Sequence, residues 1–123
     1  MPIVGYFEGT DPHILSRLTA QGIQTLPLSN GLDMHGRNVA ELTNADGVSV
    51  VVGYLHKVVP VKGIDLTVKD IISNCQTNAI PFCVVINEGD DVRAEKLLGE
   101  FAAFVQLTTP SKMFDKIVAM IDS

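Results

Sequence analysis

The chain is poor in the residues that build metal centres and disulfide scaffolds. It has two cysteines, Cys75 and Cys83, and three histidines, in 123 residues. The cysteines lie in apolar surroundings without Cys-x-x-Cys spacing, and the histidines are scattered. A structural metal site needs clustered donors, so no metal is expected and the thiols read as reduced and buried. Basic residues are also few, 9 against 14 acidic, for a net charge of -5. They are dispersed as Arg17, Arg37, Lys57, Lys62, Lys69, Arg93, Lys96, Lys112 and Lys116. A nucleic-acid-binding surface needs a basic stripe, so nucleic acid is not an expected partner. Neither G-x-x-x-x-G-K-[ST] nor G-x-G-x-x-G occurs, which leaves P-loop hydrolysis and dinucleotide binding without support; no cofactor is expected. The opening MPIVGYFEG has no basic region ahead of a long apolar run, and the longest hydrophobic stretch, around Val48 to Leu55, is too short to span a bilayer. The expectation is a cytoplasmic protein with no membrane partner.

What is present is enough apolar material, 46% of residues, to enclose the core of one domain over residues 1–123. Short β-branched runs alternate with segments of helical period, the pattern of a parallel sheet wrapped by helices. The runs are PIVGYF (2–7), IQTLPL (23–28), VSVVVGYL (48–55), PFCVVI (81–86) and AAFVQLT (102–108). Asp11 followed by Pro12 starts a first helix that ends at Gly22, with Ile14, Leu15 and Leu18 as its buried stripe. A short second helix is expected from about Arg37 to Asn44, and a third from about Asp65 to Thr77, with Thr67 and Asp70 at capping-box spacing. A fourth after GDD would bury Val92, Leu97 and Leu98. A fifth after Thr109-Pro110 would bury Phe114, Ile117, Val118 and Ile121. This predicts an α/β fold, a flavodoxin-like three-layer sandwich whose five-stranded parallel sheet runs in the order 2-1-3-4-5.

In that order the strand direction of winding reverses between the first and third strands, and a crevice opens beyond their carboxyl ends. Tyr6, Phe7, Glu8 and Gly9 follow the first strand, Tyr54 to Lys57 follow the third, and GIDLT leads into the third helix. Gly63 lets a ligand approach that helix start, whose free N–H groups favour an anion. Glu8, Asp65 and Asp70 would bring two or three carboxylates to one crevice, enough to divide nucleophile and acid/base duties on a sugar. The same residues also read as purely structural: Asp65 or Thr67 capping the helix, Asp70 completing the box, Glu8 solvated. Asn38 is equally a cap or a ligand contact. His35 and His56 have no partner at readable spacing, and Tyr6 and Tyr54 read first as packing residues.

Three segments resemble the nucleoside 2-deoxyribosyltransferase-like family, which includes related nucleotide N-glycosidases. VGYFEGT is similar to that family's first strand and its aromatic-x-x-Gly turn. NVAELTNADGVSVVVGYL resembles its Asp-x-x-x-Ile-x-x-Ala-Asp segment and valine-rich third strand. TVKDII, with AIPFCVVI after it, looks like its Gly-Thr-x-x-Glu-Ile-Gly helix start and fourth strand. The resemblance implies cleavage or exchange of an N-glycosidic bond, with Asp70 as nucleophile, Thr67 as the hydroxyl ahead of it, Asn38 at the acidic position of the preceding helix, and Tyr6 to Gly9 as the strand-one turn. Aspartate here replaces the family's glutamate; a missing methylene retracts the attacking oxygen by roughly 1 Å, which can cost about a hundredfold in rate. Leu66 stands where the family has glycine, and Asn38 lacks the charge. A second resemblance is to response-regulator receiver domains, of which a phosphate-independent pseudo-receiver tolerates the absence of an aspartate at Tyr54-Leu55-His56 and of lysine at Thr109-Pro110. The leading expectation is therefore a nucleoside- or nucleotide-binding protein with N-glycosidase or base-exchange activity, Asp70 attacking and Glu8 assisting, with Tyr6, Gly9, Asn38, Gly63, Asp65 and Thr67 around the ligand. The alternative is a non-catalytic protein-interaction domain. A homodimer through an apolar helix face is expected in either case.

Overall fold

A computed structural model describes residues 1–60 and 63–122. A single parallel sheet carries six strands: β1 (Ile3–Phe7), β2 (Gln24–Ser29), β3 (Arg37–Asn38), β4 (Val50–Tyr54), β5 (Phe82–Val85) and β6 (Gln106–Thr108), in the order β3-β2-β1-β4-β5-β6. Strand count and order thus differ from the expected 2-1-3-4-5, because the two-residue strand β3 adds itself outside β2, pairing Arg37 with Leu28 and Asn38 with Ser29. The other five keep the expected succession across the sheet.

The valine-rich sequence of β4 reflects burial on both faces, as a central parallel strand requires. Val51 faces one apolar cluster and Val50 and Val52 the other. One layer is built from α1 (Pro12–Ala20) and α5 (Met113–Asp122), the opposite one from α3 (Val68–Thr77) and α4 (Asp91–Leu98), with the single-turn α2 (Leu55–Val58) following β4 directly. α1 starts as the sequence indicates: Asp11 accepts the His13 N–H at 2.9 Å, Pro12 opens the helix, and Gly22, at φ +80°, follows its end. On the α3–α4 side Phe7 is fully buried and lies 5.9 Å from the Phe82 ring. Gly53 makes room for it, since a Cβ there would come within 2.3 Å of Phe7 Cδ2.

Several expectations are corrected. No α-helix forms over 37–44; after β3 come two 3-10 turns, Val39–Glu41 and Asn44–Asp46. Side chains claim the backbone groups that a helix would use. Asn38 accepts the Ala40 N–H, Asp46 accepts the Thr43 N–H and also pairs with Arg37, and the Asn74 amide of α3 donates to the carbonyls of Val39 and Leu42 at 3.1 and 2.6 Å. The last strand is confined to 106–108 because the chain winds from α4 into a further 3-10 segment, Gly99–Ala103, that buries Phe101. α4 buries Ala94 and Leu98 but leaves Val92 79% exposed and Leu97 41%. α5 buries Met113, Phe114, Ile117 and Met120, a face that leaves Val118 and Ile121 only partly covered.

Candidate functional site at the carboxyl edge of the sheet

The crevice expected between β1 and β4 is spanned by the chain's own loop. Short polar side chains in 29–35 wind that loop tightly, as Asn, Asp and Ser do when they bond to nearby backbone. Ser29 donates to the Asp33 carbonyl at 2.6 Å, the Gly31 N–H donates to Ser29 Oγ, and the Leu32 N–H donates to Asn30 Oδ1. The loop is anchored on both sides of the switch point. His35 packs edge-on against Tyr6 at 5.3 Å, and the Asn30 amide donates to the Lys57 carbonyl at 3.0 Å. Lys57 Nζ lies 3.2 Å from Glu8 Oε1 and 3.7 Å from Asp33 Oδ2, a buried oxygen that receives no hydrogen bond.

Of the residues the sequence brings forward, Glu8 is therefore an ion-pair partner of Lys57, and Tyr6 is half-buried against His35. Gly9 and Gly63 hold left-handed backbone, φ +88° and +93°, with open space where a side chain would stand. Asp65 is exposed. Asn38 caps the first 3-10 turn. Thr67 and Asp70 form the capping box of α3: Asp70 Oδ2 accepts the Thr67 N–H at 2.7 Å and its hydroxyl at 3.0 Å, while the Asp70 N–H reaches Thr67 Oγ1 at 3.4 Å. Asp70 bonds to Thr67 and Glu8 to Lys57; no bond joins the two carboxylates among the described residues.

The Thr67 N–H, and after it the Thr67 hydroxyl, hold the Asp70 carboxyl below its ordinary value of 3.8, and the Thr43 N–H, with Arg37 behind it, does the same for Asp46. A carboxylate depressed in the folded state stabilises above the unfolded value and loses that contribution as pH falls through the folded one. Asp70→Asn should therefore flatten the decline in stability below about pH 4, read from urea midpoints across the acid range. Thr67→Ala should cost about 1 kcal/mol at neutral pH by the same measurement.

One strand away, at the carboxyl ends of β4 and β5, a cleft of about 350 Å³ opens between α2 and the start of α4. That volume falls at the lower end of the range for small-molecule pockets, and the carboxyl ends of parallel strands are where open α/β sheets take ligands. Leu55, Val59, Ile86 and Leu97 supply aliphatic wall; Tyr54, His56, Asn87, Asp90 and Arg93 supply polar groups. The turn of α2 immediately after β4 carries Leu55 and His56 to the rim. Burial, together with the charge of Asp11, raises the Tyr54 phenol above its ordinary 10.0, so it stays a neutral donor, 3.7 Å from Met113 Sδ. His56 stands edge-on to Tyr54 at 6.1 Å, and Arg93 approaches Asp90 only loosely, at 3.8 Å. Tyr54, Leu55 and His56, which the sequence places at the end of the third expected strand beside the crevice, line this cleft, whereas Glu8, Asp70 and the expected ligand-binding residues do not. Asn87, Asp90 and Arg93 were missed; the available signal was the turn-rich NEGDD directly after a buried strand.

A second, more open groove of about 660 Å³ runs along β6 and α5 past Lys112 and Lys116. Among the described residues no group of three or more His, Cys, Asp or Glu is placed to hold a metal ion, and no helix is long and apolar enough to cross a membrane. No protein-family model matches the chain, and no curated protein matches it.

Proposed function

We propose that the protein binds a nucleoside or nucleotide in the β4–β5 cleft. The observation that carries the reading is the cleft itself: aliphatic walls suited to the faces of a base, and convergent polar groups suited to its edges and its sugar, at the carboxyl ends of neighbouring parallel strands. The likeness of three segments to the deoxyribosyltransferase-like family supports the choice of ligand. Thermal shift and calorimetry with a panel of ribo- and deoxynucleosides and their monophosphates test it. At a ligand concentration a hundred times Kd, stabilisation of about 2.7 kcal/mol is expected. Leu97→Arg, at a half-exposed wall position, should abolish the shift without lowering the unliganded melting temperature. A panel in which nothing binds overturns the reading.

Turnover is a second reading, at the start of α3 and apart from the cleft, supported by one feature of Asp70: the carboxyl is held ionised, and its Oδ1 has no hydrogen bond among the described residues, as an attacking oxygen requires. Chromatographic detection of free base, abolished by Asp70→Ala, distinguishes catalysis from binding alone. A panel without shift or turnover would favour the interaction domain, for which exposed Leu32 and Met34, together with Ile64, are the apolar contacts on offer.

A further inference from the structure

We infer that the β4–β5 cleft selects the unphosphorylated ligand, with the Asp90 carboxylate accepting hydrogen bonds from sugar hydroxyls; this deepens the nucleoside-or-nucleotide reading and rests on it. The cavity is amphipathic, and its charged lining among the described residues is one carboxylate, Asp90, and one guanidinium, Arg93, with two further carboxylates, Glu88 and Asp91, beside Asp90 in the chain but outside the lining. Asp90 lines it as the N-cap residue of α4, yet its side chain makes no capping bond. Among the described residues its one ion-pair partner is Arg93 at 3.8 Å, beyond hydrogen-bond length, so its oxygens remain available to donors from a ligand. Hydroxyl donors to a carboxylate form short, charge-assisted bonds.

A phosphate would meet the opposite electrostatics. The segment from Glu88 to Arg93 holds three carboxylates, Glu88, Asp90 and Asp91, against one guanidinium. Asp90 and Asp91 sit at the amino end of α4, where their charges offset the positive pole that would otherwise attract an anion. Outside the lining, the negative charge of Asp11 also acts on Tyr54. Among the described residues Arg93 is the one fixed cation lining the cleft, and engaging a phosphate would draw it from Asp90, leaving that carboxylate facing the new charge.

Calorimetry with adenosine, guanosine, cytidine, uridine, thymidine and their 5′-monophosphates tests the inference on the full chain. The best-bound nucleoside should bind at least tenfold more tightly than its own monophosphate at low ionic strength, and the gap should narrow in high salt as the carboxylates are screened. Asp90→Asn should weaken the nucleoside about tenfold; because Asp90 makes no capping bond and keeps only a loose ion pair with Arg93, its melting temperature should fall only slightly through the lost charge at the helix start. Glu88→Gln combined with Asp91→Asn should strengthen monophosphate binding and leave the nucleoside unchanged. A monophosphate that binds as tightly as its nucleoside, or an Asp90→Asn protein with undiminished nucleoside affinity, overturns the selection while leaving the cleft as a binding site. Failure of every nucleoside and monophosphate to bind overturns the broader reading and this inference together.

Discussion

Phe7→Ala should remove about 3–5 kcal/mol of folding free energy, a large part of what a domain of this size possesses. The ring is fully buried at the end of β1, packed against Phe82 on one side and over Gly53 on the other. Backbone on either side of the hole is held in sheet pairing, with Tyr6 opposite Pro27 and Val52 and Gly53 opposite Val84, so the strands are poorly placed to collapse into it. Gly53→Ala alone should cost about 1–3 kcal/mol by overpacking, because its new methyl has nowhere to go but into the ring. In the Phe7→Ala background the same methyl enters vacated space, so the double variant should be less damaged than the sum of the two singles. Urea denaturation of the four proteins measures this coupling. Strict additivity would mean that ring and glycine do not share the contact.

The second large effect lies at high pH. Burial pushes both Cys75 and Cys83 from an ordinary value of 9.0 up to about 12, although the charge of Lys116 pulls Cys83 slightly the other way. A group raised on folding leaves stability intact below its unfolded value and erodes it as pH climbs toward the folded one, so the loss runs from about pH 9 to 12. At pH 11 each thiol should cost on the order of 2–3 kcal/mol, since the unfolded chain ionises and the folded one does not. Tyr54, also raised, acts in the same direction. Urea midpoints from pH 8 to 11 should fall steeply in the parent, and Cys75→Ala with Cys83→Ala should flatten that limb even though the double variant starts from a lower midpoint. An alkaline limb of unchanged slope would mean that the thiols ionise freely in the folded protein.

What could be read from the sequence was what depends on near neighbours. The valines of β4, the Asp11-Pro12 start of α1 and the Thr67–Asp70 box are local devices, and all three occur where their spacing places them. The segment 37–44 carries a helical spacing of Val39 and Leu42 but forms 3-10 turns, because the Asn74 amide, 32 and 35 residues away in sequence, takes the carbonyls of Leu42 and Val39. No local pattern reveals a competitor so distant. α4 buries Leu98 as its spacing indicates, but Val92 is apolar and points outward, Leu97 is half-exposed, and small Ala94 fills the core. The position of the cleft has a related cause. Topology alone puts a crevice between β1 and β4, but the 29–35 loop is tied across that point by Lys57 and His35, and the turn of α2 helps form the cleft one strand further on.

The sheet is a septum between two apolar compartments. Phe7, Ile71 and Leu98 lie on one side, Leu18, Met113 and Ile117 on the other, with Val51 and Val84 facing the first and Val50, Val52 and Val85 the second. Side chains cannot migrate through six hydrogen-bonded strands, so a void opened in one compartment cannot be relieved by rearrangement in the other. Truncations on opposite sides should behave as independent injuries whose losses sum, whereas paired truncations within one compartment should interact.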